Sequence, residues 1–102
     1  MIVVPIETKP QQSFSIILND LLYRIELRTI QDFTYMSAWI DDELLFYNQL
    51  CTPNNWVNPY NYVSQNGKFW FRSLDGNYPY YKNFNNTQEL LFLLPGEVEQ
   101  IQ

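Results

Sequence analysis

The sequence predicts an all-β fold: a small single-domain antiparallel β-barrel or β-sandwich of about seven short strands. Three observations carry this reading. Apolar and polar residues alternate with period two in one segment after another, as a half-buried sheet requires, because a strand sends successive side chains to opposite faces. No stretch of ten or more residues holds the i, i+3, i+4, i+7 apolar spacing that a helix needs. Turn-forming residues separate the alternating segments at short intervals, the pattern of sandwiches and barrels.

Residues 2–6 form the first strand, and Pro5 places it at a sheet edge because proline cannot donate to a ladder. In residues 12–18, Phe14, Ile16 and Leu18 share one face while Ser13 and Ser15 occupy the other, and Asn19-Asp20 supplies a turn. Residues 21–29 follow, with Leu21, Tyr23, Ile25 and Leu27 opposite Arg24, Glu26 and Arg28, so the two segments read as a β-hairpin. Gln31-Asp32 makes the next turn. Residues 33–40 then set Phe33, Tyr35 and Trp39 against Thr34, Met36, Ala38 and Ile40, apolar enough on both sides for both to be covered. Asp41, Asp42 and Glu43 form an acidic tip, and residues 44–47 pair back as a fourth meander strand.

Residues 48–66 break the alternation with Pro53, Pro59 and many asparagines, which predicts a long ordered loop. Some of its Leu50, Trp56, Val57 and Tyr60 are expected to pack across a barrel end, since leaving each in water costs about 1.5–3 kcal/mol. Residues 67–74 resume as a strand ended by Asp75-Gly76, and residues 77–86 are irregular around Pro79. The last strand, residues 89–94, is apolar on both faces and therefore central, and Pro95-Gly96 stops it. One domain thus spans residues 1–102, with 1–8 as an edge strand open to a partner and 97–102 as a frayed tail.

Composition narrows the function. With 46% hydrophobic and 17% charged residues, the chain is too apolar for a disordered segment. A net charge of -5 repels a phosphate backbone, and the six basic residues, Lys9, Arg24, Arg28, Lys68, Arg72 and Lys82, are scattered along the sequence, so nucleic acid is not an expected partner. The first residues lack a basic region and reach Glu7 and Lys9 too early for a signal peptide or a membrane span, which predicts a cytosolic origin and no membrane partner.

The chemistry of the residues points away from an enzyme. Histidine is absent and Cys51 is the single cysteine, so Ser-His-Asp and Cys-His nucleophiles cannot be assembled and a zinc site has too few ligands. Cys51, between Leu50 and Thr52, reads as a buried or loop thiol. Asp41, Asp42 and Glu43 lack the spacing and glycine turn of a calcium loop and read as a solvated tip. Gly67 and Gly76 are single turn glycines, not a phosphate-binding loop. No catalytic, metal-binding or cofactor-binding residue is assigned; a carboxylate-based hydrolase keeps a minor place because carboxylate pairs are set by spatial position rather than sequence spacing. The candidate protein contacts are Trp56, Tyr60, Tyr62, Tyr78, Tyr80 and Tyr81 in the Asn- and Tyr-rich loops, and Ile2 and Val4 on the edge strand, where a neighbour could add a strand. The alternative is a recognition module that binds carbohydrate or a host surface through Trp56, Tyr60, Tyr78 and Tyr80 on one face.

The order of segments carries a resemblance. Val4-Pro5-Ile6 leads to residues 12–18, a tight turn and Tyr23-Arg24-Ile25-Glu26-Leu27; Phe33, Tyr35 and Trp39-Ile40-Asp41 follow, then the Asn55-Trp56-Val57-Asn58-Pro59-Tyr60 segment. Gly67-Lys68-Phe69, Asp75-Gly76, Tyr80, Lys82-Asn83-Phe84 and Glu89-Leu90-Leu91-Phe92-Leu93 complete it. Over nearly its whole length the chain resembles the small baseplate plug proteins of contractile-tailed phages. It departs from that pattern at Asn19-Asp20, where a glycine is expected, and in its Asn- and Pro-rich stretch before Trp56. The resemblance implies a structural virion protein assembled in the host cytoplasm. It would sit on the tail axis at the baseplate, contact hub and tube proteins and further copies of itself, and use no cofactor.

Overall fold

In the computed structural model, which describes residues 1–58 and 67–97, the chain forms eight strands in two four-stranded antiparallel sheets. The strands are β1 (Ile2–Val4), β2 (Gln11–Leu18), β3 (Leu21–Ile30), β4 (Phe33–Ile40), β5 (Glu43–Leu50), β6 (Asn55–Trp56), β7 (Lys68–Ser73) and β8 (Gln88–Leu93), with a 3-10 turn at Tyr81–Asn83. One sheet runs β1-β8-β7-β6 and the other is the meander β2-β3-β4-β5. Two separate sheets with a shared core make a sandwich, which resolves the choice between barrel and sandwich.

The meander forms because its tight turns suit residues that tolerate positive φ. Asn19 and Asp20 (φ 52° and 64°) and Asp41 and Asp42 (φ 48° and 69°) both take the left-handed region at the two central positions, the type I′ geometry whose twist matches the flanking strands. Short Asn and Asp side chains visit this region at little cost, which is why no glycine is needed at Asn19-Asp20.

The core lies between the sheets. Tyr23, Ile25, Leu27, Met36, Ala38 and Phe46 face Val4, Phe69, Phe71, Leu90 and Phe92, all buried. Tyr23 joins the layers edge-on, with its ring centroid 5.7 Å from Phe69 and 5.5 Å from Phe92, an arrangement worth about 0.5–1.5 kcal/mol per pair beyond burial. Gly67 leads into β7 at φ 117°, and a Cβ there would stand 2.5 Å from the Leu93 carbonyl oxygen and 2.6 Å from Phe92 Cζ, so only glycine fits.

Several boundaries differ from expectation for identifiable reasons. β1 ends at Val4 because Pro5 follows. β8 is flanked by β1 and β7, the central position its doubly apolar sequence predicts. β5 runs on to Leu50 rather than stopping at residue 47, because extra residues at Leu45 and at Tyr47-Asn48 are absorbed as bulges opposite β4. Residues 55–56 pair with β7 instead of lying in loop: the Asn54 side chain both accepts from Ser73 N–H (2.9 Å) and donates to Ser73 C=O (2.9 Å), and Asn58 Oδ1 accepts from Phe69 N–H (2.7 Å). These asparagines extend the ladder with their side chains where the backbone turns away.

Candidate functional site

Groups that sequence inspection weighed for chemistry occupy structural positions. Cys51 is buried at the end of β5, where its N–H donates to Thr34 C=O, and burial pushes its thiol well above the ordinary range, away from the reactive thiolate. Asp41, Asp42 and Glu43 are exposed at the β4–β5 tip. Among the described residues no three acidic, cysteine or histidine side chains gather closely enough to hold a metal ion.

The loop between β7 and β8 is held by polar groups. Gln88 is buried and accepts from Tyr80 N–H (2.8 Å) while donating to the carbonyls of Tyr78 (3.1 Å) and Asn77 (3.3 Å). Thr34 of β4 donates to Pro79 C=O (2.8 Å), tying this loop to the opposite sheet. Tyr78, Tyr80 and Tyr81 are therefore presented on a fixed frame: Tyr78 is exposed and meets Phe33 edge-on at 5.4 Å, and Tyr80 packs against Tyr81 at 4.8 Å. Trp56 instead meets Trp70 at 4.9 Å, with Lys68 Nζ 5.2 Å from its ring. Among the described residues no ring contact joins these three pairs to one another. Tyr60 and Tyr62 lie outside the described residues. Ile2 is exposed at the start of β1, whereas Val4, on the same face of the strand two residues on, is fully buried in the core and offers a partner no side chain.

The most developed surface was missed in the sequence. On the outer face of the meander, Arg24 lies over Trp39 with its guanidinium 4.0 Å from the ring centroid. Trp39 meets Tyr47 edge-on at 6.4 Å, and Arg28 stands 5.9 Å from Tyr47, ion-pairs with Glu26 (3.6 Å) and donates to Asn48 Oδ1. Ile17 (70% exposed), Leu22 and Leu44 (55% exposed) surround this set. Alternation along β3 already puts Arg24 and Arg28 on the outside. Bringing Tyr47 beside them takes the β5 bulges, which re-aim one residue of an otherwise regular strand and leave no plain mark in composition. Trp, Tyr and Arg are the residue types that dominate protein interfaces, and a guanidinium held on a ring loses little freedom on binding.

A small β-sandwich with an aromatic and guanidinium face and stapled loops has the make-up of a structural assembly protein. Residues 1–95 match the family model described as the cyanophage baseplate Pam3 plug gp18, and the chain belongs to this baseplate plug family of phages. Membership gives it a structural role in the tail baseplate, and so a place in the virion. No curated protein matches the chain.

Proposed function

We propose that the protein is an axial plug, seated where the hub meets the tube of a phage tail, that acts through protein–protein contacts and carries out no reaction. The family match over residues 1–95 carries this reading. The Trp39, Tyr47, Arg24 and Arg28 face supports it, because an exposed set of this composition gains most from a protein neighbour. Trp56, Tyr78, Tyr80, Tyr81 and the exposed end of β1 at Ile2 are secondary contacts, and the chain reaches its place during assembly in the host cytoplasm. Cross-linking and mass spectrometry of purified tails is the test. The expected result is the protein in intact tails, cross-linked to hub or tube proteins; its absence, or cross-links to sheath alone, would overturn the reading.

A further inference from the structure

A sandwich of two open sheets has four edge strands, and an unpaired edge invites another chain unless it is blunted. Among the described residues three of the four are blunted. β1 has three residues and is followed by Pro5, β6 has two, and β5 is bulged twice. β2 is different: it has eight residues, pairs with β3 without a register shift, and contains no charged residue and no proline.

The hairpin phase shows which backbone groups β2 leaves open. In a two-residue hairpin the residues flanking the turn exchange both N–H to C=O bonds. Leu18 with Leu21, Ile16 with Tyr23, Phe14 with Ile25 and Gln12 with Leu27 are thus the bonded pairs, and the Thr29 N–H to Pro10 C=O bond (2.7 Å) continues that phase. The N–H and C=O groups of Ser13, Ser15 and Ile17 point the other way, and among the described residues no strand lies on that side. An open groove of about 540 Å³ runs along this part of the molecule, lined by β2 and by Pro5, Glu7 and Lys9. The segment carrying Glu7 is fixed by the Gln12 side chain, which accepts from Glu7 N–H (2.8 Å) and donates to Glu7 C=O (2.7 Å). It is anchored, therefore, without using the outward backbone groups of β2.

We infer that β2 takes up an extended segment of a neighbouring baseplate protein, which adds a fifth strand to the meander in this groove. Ser13 to Ile17 spans about 14 Å, so about five residues suffice. Apolar side chains at alternate positions would cover the half-buried Phe14 and Ile16, small or polar ones would lie beside Ser13 and Ser15, and the uncharged edge selects an uncharged stretch. The groove favours a single free strand over a second copy of this chain, whose own β2 would arrive with its own 5–9 segment beside it.

This rests on the baseplate reading, and its test separates the two. Amide hydrogen exchange is compared between the isolated protein and assembled tails. The N–H groups of Ser13, Ser15 and Ile17 should exchange fast in isolation and at least tenfold more slowly in tails. Ser15→Pro removes an outward N–H without touching the β2–β3 bonds, and should lower incorporation into tails at least tenfold while the isolated variant keeps its β-sheet circular dichroism. If Ser15→Pro unfolds the chain, the exchange comparison alone decides. Edge amides that stay fast in tails containing the protein would overturn the inference and leave the baseplate reading standing; absence from tails would remove both. Slow edge amides in an isolated protein of dimer mass would overturn it in favour of a second copy.

Discussion

The two sheets share one core but treat their outer faces differently. In β1-β8-β7-β6, a row runs Val3, Leu91, Trp70, Trp56 across the outside, and Leu91 and Leu93 are only 2% exposed, packed against Trp56 and Trp70. Arg72 and Glu89 pair across the same face. In β2-β3-β4-β5 the corresponding face leaves Ile17, Leu22 and Leu44 to solvent and stacks Arg24 and Arg28 on Trp39 and Tyr47. The first sheet uses its tryptophans to close a second small core within the chain; the second holds its aromatic set at the surface. A tryptophan on a strand therefore says nothing of its role until the residues beneath it are known: Trp70 covers leucines, whereas Trp39 carries a guanidinium.

The comparison breaks most readily where the first sheet meets the core. Gly67→Ala forces a Cβ onto the Leu93 carbonyl and Phe92 and strains a φ of 117°, so a loss of about 3 kcal/mol or more is expected by urea denaturation. Next comes Trp70→Ala, which uncovers Leu91 and Leu93 and should cost about 2–3 kcal/mol. Trp39→Ala should cost only about 1 kcal/mol, the scale of one ring pair and one cation–π contact, yet lower incorporation into tails at least tenfold. Equal stability losses at Trp39 and Trp70, with no assembly defect at Trp39, would erase the distinction between the faces.

Much of this architecture was legible in the sequence because alternation is a local signal. Residues 12–18 and 21–29 name the inward residues of two strands, Pro5 marks an edge, and the doubly apolar run of the last strand marks a centre, whereas residues 33–40, apolar on both sides, leave unnamed the face of Thr34, Met36 and Ala38 that is buried. What stayed hidden depends on partners distant in sequence. The bulges that bring Tyr47 to Trp39 appear only when β5 is laid against β4. The strand at Asn55–Trp56 exists because Asn54 and Asn58 bond β7 with their side chains, whereas asparagine in isolation signals a turn. Val4 shows the same limit in reverse: an edge strand has open backbone groups, but its inward side chains still belong to the core. The open edge at β2 was legible only in part, since its uncharged sequence is plain but its end position in the sheet is not.

The smallest expected effect concerns the turn that finishes the first sheet. Asp75 accepts from Asn77 N–H (2.9 Å), Ser73 Oγ (2.8 Å) and Thr87 Oγ1 (2.8 Å), binding the end of β7 to the start of β8. These donors, Asn77 N–H foremost, hold its carboxyl down to about 2, below the ordinary 3.8. Because the folded state binds this proton less readily than the unfolded one, the stabilisation is complete above pH 3.8 and is lost as pH falls through about 2. Asp75→Asn should flatten the part of the stability profile that falls between pH 4 and pH 2, measured by thermal melts in steps of pH, while leaving the Trp39 face and tail incorporation unchanged. A profile in which the variant and the parent fall in parallel would show that other carboxyls carry the acid sensitivity, and that the first sheet does not depend on this turn for its closure.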